Sequence, residues 1–268
     1  MRLTVATWNI NSVRLRADLV ARFLAGWRPD VLCLQEIKCA NGNFPARLFT
    51  DNGYPHIVVN GQPGYHGVAI VSRLPLKATD CIAFCGRGDA RHASAVLDIP
   101  TPVAIHSLYV PAGGDEPDPD SNDKFAHKLA FLDEMHRWMD ALAASRHPPA
   151  IVTGDFNIAP LENDVWSHRQ LLKVVSHTPA ETTRLDAIRH SGGWIDLMRY
   201  HIPADQKIYT WWSYRARNWA EADRGRRLDH IWIDPHIATA GSAIEVIRQA
   251  RDWERPSDHV PVVASLNL

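Results

Sequence analysis

Apolar and polar positions alternate along this chain in short bursts separated by turn-forming residues. Leu3 to Asn9 alternates from its start, and Val31-Leu32-Cys33-Leu34 is a short run of the kind buried on both faces. Val68 to Val71, Ala95 to Ile99, Val103 to Tyr109, Ile151 to Thr153, Leu228 to Ile233 and Val260 to Leu266 also read as strands. Two stretches carry helical signals. Phe125, Leu129, Leu132, Met139 and Leu142 fall on one helical stripe, which Pro148-Pro149 stops. Thr178-Pro179-Ala180-Glu181 is a capping box with proline at the first helical position, and Gly192-Gly193 closes the helix it opens. The connection between 95–99 and 103–109 is too short for a crossover, so those strands must run antiparallel. Helices with a mixed, largely antiparallel set of about a dozen strands predict an α/β fold, a four-layer α/β-sandwich of two packed mixed β-sheets flanked by helices. No linker divides the chain, so one domain is expected over 1–268. The most irregular stretch is 112–123, with Gly113-Gly114 and the acids Asp115, Glu116, Asp118, Asp120 and Asp123. Long loops of this kind are often functional.

Composition narrows the class. With 46% apolar and 22% charged residues the chain reads as an ordinary globular protein. No apolar run approaches the roughly 18 residues a membrane span needs. The start, Met1 to Trp8, lacks the apolar core of a signal peptide. Four cysteines make no disulfide scaffold, and the Cys81/Cys85 spacing does not suit a zinc knuckle, so reduced thiols in the cytoplasm are expected. Basic and acidic residues number 29 and 30, which excludes binding of nucleic acid by bulk charge. Of the 29 basic residues only six are lysine, and there are 10 tryptophans. Arginine and tryptophan favour recognition surfaces, although genomic bias and core packing explain most such positions.

Four strand-like runs carry an acid at one end. Glu36 follows the run at 31–34 and Asp155 follows the run at 151–153, whereas Asp229 and Asp258 precede theirs. Antiparallel pairing would bring all four to one rim, joined by the amides of Asn9 and Asn11 and by His259. Such a set of hard oxygens suits Mg²⁺ or Mn²⁺. A divalent ion there could neutralise the charge that develops on a phosphodiester, and a carboxylate could activate water. Any one of these motifs could be a solvated turn; all four in one chain are hard to ascribe to chance.

In their order along the chain, Trp8-Asn9-Ile10-Asn11, Leu34-Gln35-Glu36-Ile37-Lys38, Tyr109-Val110-Pro111, Gly154-Asp155-Phe156-Asn157, Arg227-Leu228-Asp229 and Ser257-Asp258-His259 resemble the exonuclease III family. Those enzymes are Mg²⁺-dependent AP endonucleases and 3′-exonucleases of base-excision repair, within the wider endonuclease/exonuclease/phosphatase superfamily. The resemblance runs from residue 4 to 266. The stretches Gly64 to Ala69 and Tyr209 to Arg215 are similar to the DNA-repair branch. The resemblance implies Glu36 as principal metal ligand, with Asn9 beside it and Asp258 as a second acid. It implies Asp155 as the residue that orients or deprotonates water, Asn157 as its support at the phosphate, and His259 with Asp229 as the phosphate-contacting dyad. The metal set is thus Asn9, Glu36, Asp155, Asn157, Asp258 and His259. Tyr109 would lie near the phosphate as a hydrogen-bond donor or a phenolate, and the sequence leaves open which group is the base. Relatives commonly carry an amide after Tyr-x-Pro, where this chain has Ala112.

Between 207 and 227, arginines interleave with aromatics, which suits phosphate contact and stacking. By resemblance, Trp211 would line a pocket for a flipped abasic sugar, joined by Trp212 and Leu228. Arg215, Arg217, Arg226 and Arg227 would contact double-stranded DNA at abasic sites or 3′ ends. Arg87, Arg91 and His92 are weaker candidates for the same backbone. The resulting expectation is a monomeric, cytoplasmic, Mg²⁺-dependent DNA-repair nuclease that incises 5′ to abasic sites and trims 3′ ends. The alternatives are a same-fold phosphoesterase acting on RNA or small phosphoesters, and a non-catalytic nucleic-acid-binding relative.

Overall fold

The computed structural model describes residues 1–145, 148–216 and 218–268. Its strands are β1 (Arg2–Asn9), β2 (Val31–Gln35), β3 (His56–Asn60), β4 (Val68–Ser72), β5 (Leu76–Ala78), β6 (His92–Leu97), β7 (Val103–Tyr109), β8 (Ala150–Asp155), β9 (Ile195–Asp196), β10 (Trp211–Trp212), β11 (Gly225–Arg226), β12 (Asp229–Ile233), β13 (Gly241–Val246) and β14 (Val262–Asn267). Helices are α1 (Ala17–Trp27), α2 (Ala46–Asp51), α3 (Asp123–Ala144), α4 (His168–Leu171), α5 (Pro179–Ser191), α6 (Leu197–His201) and α7 (Trp219–Ala222).

Twelve of these strands form two six-stranded sheets, ordered β13-β14-β1-β2-β4-β3 and β5-β6-β7-β8-β12-β9, and β10 and β11 pair as a separate two-stranded ribbon. Among the described residues only β1/β2 and β7/β8 pair in parallel, so each sheet is mixed. One apolar core lies between the sheets: Val5, Val31 and Ile70 from the first meet Ile105, Ile151 and Ile231 from the second. Strands buried on both faces read as continuous Val/Ile/Leu runs because neither face meets water. A second core packs Leu19, Val20, Phe23 and Leu24 of α1 and Phe49 of α2 onto the outer face of the first sheet. A third packs Phe131, Leu132, Met135 and Met139 of α3 and Leu185 and Ile188 of α5 onto the outer face of the second. These are the layers of a four-layer α/β-sandwich.

Several boundaries differ from the sequence reading. The strand expected at 95–99 begins at His92, because His92 and Ser94 pair across to Leu108 and His106. The last strand begins at Val262 rather than Val260. That shift leaves Asp258 and His259 in a loop that reaches over the sheet edge. Helix α3 ends at Ala144, ahead of the proline pair. At the start of α5, Glu181 accepts hydrogen bonds from the Thr178 N–H and hydroxyl at 3.1 and 2.6 Å.

The functional rim lies where β1, β2, β7 and β8 end and β12 begins. Gly154, with φ of 143°, lets β8 run tight against β7; a Cβ there would collide with the Leu108 carbonyl. The chain can then turn so that Asp155 and Asn157 follow the strand end.

Candidate active site

Asn9 ends β1 and donates from one amide nitrogen to Glu36 at 2.9 Å and to Asp155 at 2.8 Å. It therefore bridges the two sheets at the rim. Glu36 follows β2 with a φ of 50°, a backbone region that costs energy for a non-glycine residue and recurs at functional sites. Its carboxylate accepts from the Tyr109 hydroxyl at 2.8 Å and pairs with Lys38 at 2.9 Å. Burial alone would raise the Glu36 pKa, but the Lys38 charge and the Asn9 hydrogen bond hold it below the ordinary value. Burial, reinforced by the Glu36 and Asp155 charges, pushes the Tyr109 phenol well above its ordinary range, so Tyr109 is a donor and not a phenolate.

Asp155 ends β8 and is 1% exposed. It accepts the Asn157 backbone N–H at 2.9 Å and the Asn157 amide at 3.2 Å. The same amide donates to the Val110 carbonyl at 2.9 Å. Opposite it, His259 Nδ1 lies 2.8 Å from Asp229 Oδ2, and His259 Nε2 lies 3.7 Å from Asp155 Oδ2. Burial pushes the Asp155 carboxyl up to about 7; the His259 charge opposes the shift and Asp229 reinforces it. Burial would depress the His259 imidazole, but the Asp229 and Asp155 carboxylates override it and push the pKa up to about 10. The imidazolium is therefore the standing form, with Nε2 a donor aimed into the rim. Asp258 accepts from Asn11 at 3.1 Å and from the Trp211 indole at 3.0 Å.

The donor set fits a divalent cation. Carboxylate oxygens of Asp155 and Asp229 lie within 4.8 Å of each other, with the His259 imidazolium beside them as a phosphate donor rather than a ligand. Asp229 Oδ1 is buried and has no hydrogen-bond partner among the described residues, a costly state for a carboxylate oxygen unless a cation satisfies it. The oxygens of Glu36, Asp258 and Asn9 add hard donors on the same rim.

A cleft of about 540 Å³ opens from this rim. Glu36, Tyr109, Asn157, Asp258 and His259 form its floor, and Trp211, Arg215, Arg226 and Leu228 line one side. The Arg226 guanidinium lies 5.2 Å above the Trp211 ring. Arg215 is exposed at the mouth. Arg217 lies outside the described residues.

Two of the expected DNA contacts are corrected. Trp212 is 1% exposed, packs on Tyr209 and Trp219, and donates to Asp223 at 2.9 Å. Arg227 is 0% exposed and is spent on Asp164 at 2.7 Å and Asp196 at 2.8 Å. The cause is common to both. Successive side chains of a strand point to opposite faces. Trp211 pairs with Arg226 across β10 and β11 and both face the cleft, so their neighbours Trp212 and Arg227 must face inward. Among the weaker candidates, Arg91 and His92 are buried, not exposed on a turn. Arg91 lies 5.0 Å over the Tyr109 ring and donates to its carbonyl at 3.2 Å, so it holds the tyrosine.

The structure adds residues that the sequence did not single out. Lys38, in the same short motif as Glu36, touches both Glu36 and Asn11. Trp166, stacked under Arg224 at 4.7 Å, forms the far wall with Val175 and Ser176.

The description "Endonuclease/Exonuclease/phosphatase family" matches residues 6–259. Exodeoxyribonuclease III of Haemophilus influenzae is 26% identical over 267 residues, covering 96% of this chain and 97% of that protein. An AP endonuclease from Archaeoglobus fulgidus superposes with a TM-score of 0.90 at 30% identity, covering 99% of this chain and 100% of the other. A 3′ phosphatase from Neisseria, bound to a product DNA hairpin, superposes with a TM-score of 0.89 at 29% identity, covering 99% and 100%. The chain belongs to the endonuclease/exonuclease/phosphatase family, in its exonuclease III and AP endonuclease branch.

Proposed function

We propose that this chain is a DNA-repair phosphodiesterase that incises 5′ to abasic sites in double-stranded DNA and removes nucleotides or blocking groups from 3′ ends. One observation carries this reading: a buried Asp155, hydrogen-bonded by Asn157 and facing the His259–Asp229 dyad, sits against Asn157 and His259, which line a cleft walled by Trp211 and Arg226. Asp155, whose pKa lies near neutrality, orients the attacking water and takes its proton. The Asn157 amide keeps that carboxylate turned toward the floor of the cleft. The His259 imidazolium and the Tyr109 hydroxyl donate to the non-bridging oxygens of the phosphate as charge develops. Asp229 keeps His259 charged and fixes its ring. A divalent ion, Mg²⁺ with Mn²⁺ as substitute, held by oxygens of Asn9, Glu36, Asp155, Asn157 and Asp258 with Asp229 Oδ1 beside them, would neutralise the negative charge of the phosphoryl group; His259, expected from the sequence among the ligands, serves the phosphate as an imidazolium instead.

The Trp211 face offers an apolar wall to a base-free sugar, which costs little to unstack. It favours DNA with abasic sites over soluble phosphomonoesters. Arg215 and Arg226 supply phosphate contacts beside it. On this reading the chain works as one domain over 1–268, as a monomer. Cytoplasmic placement is supported by four free cysteines, Cys33, Cys39, Cys81 and Cys85. No helix among the described residues is long and apolar enough to cross a membrane.

The test is incision of an abasic duplex with Mg²⁺, with EDTA, and with Asp155→Asn. Cleavage that leaves a 3′-hydroxyl, and that EDTA and the substitution both abolish, is the expected result. Intact abasic DNA alongside turnover of a soluble phosphomonoester or of RNA would replace the reading with the same-fold alternative.

A further inference from the structure

We propose that the buried Lys128–Glu181 ion pair is a positioning device for the active-site cleft: it ties the Asn157 turn on the floor to the Ser176 turn on the far wall and so sets the distance between them. This deepens the reading of the cleft as a phosphodiester site and rests on it.

Lys128 lies on the inner face of α3 and is 0% exposed. Its ammonium lies 2.5 Å from Glu181 Oε1, 2.8 Å from the Asn157 carbonyl and 3.2 Å from the Ala112 carbonyl. A lysine has three N–H donors, so the group is saturated. Glu181, also 0% exposed, accepts the Ser176 backbone N–H on both oxygens at 2.9 Å.

Each end of the pair holds a residue in left-handed backbone, Asn157 at φ 54° and Ser176 at φ 86°. Non-glycine residues stay in that region only where their surroundings over-determine them. Each of the two also carries a cleft group. Asn157 supports Asp155 through its backbone N–H. Ser176 accepts from Arg226 through its hydroxyl at 2.7 Å, and the adjacent Val175 carbonyl accepts from the same guanidinium at 3.0 Å. Gly113, at φ 91°, packs against the Lys128 stem so closely that a Cβ would lie 2.9 Å from Cδ. The loop that follows Tyr109 is thus seated on the same side chain. A buried ion pair is a weak source of stability compared with apolar residues of similar size, so stability alone gives no reason to place one between these two turns.

The experiment compares wild type with Lys128→Met, Lys128→Met/Glu181→Gln and Ser176→Ala. It reads kcat and KM for abasic-duplex incision, the thermal midpoint, and the Kd for duplex DNA in EDTA. Lys128→Met leaves an unpaired buried carboxylate and should lower the midpoint. The double variant has no unpaired charge and should recover most of it. Its kcat should still stay about tenfold or more below wild type, because ångström-scale misplacement of reacting groups costs one to two decades. Ser176→Ala keeps the pair and loses only the seat of Arg226. It should raise the DNA Kd about threefold, the loss of one modest hydrogen bond, with an unchanged midpoint. A double variant with both the midpoint and the kcat of wild type would reduce the pair to a structural role and overturn the inference. If the Lys128 variants do not fold, an unchanged Kd in Ser176→Ala overturns it instead. A wild-type chain that fails to incise would remove the functional reading, and the inference with it; an active wild type makes the two failures distinguishable.

Discussion

Asp155 and Asp164 lie close together in sequence and both are buried, yet the protein treats their charges in opposite ways. Asp164 meets two arginines, Arg227 at 2.7 and 2.9 Å and Arg199 at 2.6 Å, and also accepts the Leu161 N–H at 2.9 Å. Burial would raise its pKa, but the two guanidinium charges reverse that and hold it below the ordinary value. Among the described residues Asp155 has no arginine partner. It receives two asparagine amides and faces a histidine at 3.7 Å and a second carboxylate, and its pKa rises to about 7. One carboxylate is matched permanently and fastens the loop after β8 to β12. The other is left under-compensated, so its charge and its proton stay available for chemistry. The same residue type at the same depth is thus structural or reactive according to whether the cations beside it outweigh its burial: two guanidinium groups do so for Asp164, whereas the single His259 imidazolium, shared with Asp229, does not for Asp155.

The sharpest way to break this comparison is to neutralise each aspartate in turn. Asp155→Asn should lower the incision rate about 10³-fold to 10⁴-fold, the upper part of the roughly 10²-fold to 10⁴-fold range for losing a general base. At about 1.4 kcal/mol per decade that is roughly 4 to 5 kcal/mol of transition-state stabilisation. Its thermal midpoint should hold or rise, because the repulsion with Asp229 is relieved. A variant within tenfold of wild-type rate would remove Asp155 from the chemistry. Asp164→Asn should do the reverse. Leaving Arg227 with Asp196 alone should cost about 3 kcal/mol in urea unfolding, the low end for a broken buried pair. Its kcat well below the melting temperature should stay within about twofold, since no group of the cleft is touched. Equal losses of rate in the two variants would dissolve the distinction.

Acid sharpens the comparison further, provided a third buried group is separated out. His92 and His106 stack behind the second sheet, with ring nitrogens 3.1 Å apart. Burial lowers the pKa of His106 to about 4 from an ordinary 6.5, and burial with the neighbouring ring lowers that of His92 as well. Between pH 6.5 and about 4 the unfolded chain binds protons that the folded chain refuses. Stability is therefore fully present above 6.5 and falls as pH drops through that window, by about 3 kcal/mol for His106 alone. Asp155 works in the opposite sense there, because its raised pKa lets the folded state bind a proton first. The measurement belongs in the Asp155→Asn background without metal, where His106→Leu should flatten the slope. Loss that remains only below pH 4 then reports the carboxylates held below their ordinary values, Asp164, Glu36 and Asp89, and Asp164→Asn isolates the first of them. A slope unchanged by His106→Leu would assign the acid sensitivity elsewhere.

The sequence made the central strands legible because they are buried on both faces, and a run such as Val31 to Leu34 has no other good reading. It also made the acid-bearing strand ends legible, since Glu36, Asp155, Asp229 and Asp258 each abut an apolar run. Helix α1 was harder to see: its buried residues, Leu19, Val20, Phe23 and Leu24, form a stripe too short to stand out. The arginine-rich segment was misjudged where composition replaced geometry. Counting arginines could not tell Arg226 from Arg227, although the period of two in a strand separates them once β11 is paired with β10. Lys128 was hidden for a different reason. On a helix whose apolar stripe points inward, a single lysine reads as solvated, and only the fold brings Glu181 to meet it.

The arginines also supply the smallest effect in the comparison of matched with unmatched charge. Arg215 is exposed at the cleft mouth, whereas Arg227 is sealed beneath it. A phosphate contact made by an exposed arginine releases about one counterion, so Arg215→Ala should make the slope of log K for duplex DNA against log salt shallower by about 0.9. The thermal midpoint should not move, because the guanidinium is not spent on any internal carboxylate as that of Arg227 is. DNA binding measured across a salt series, with the midpoint taken on the same samples, separates the two behaviours. An unchanged slope would take Arg215 off the DNA path. The basic footprint would then shrink to Arg226 and Arg224, the two guanidinium groups stacked on the cleft tryptophans.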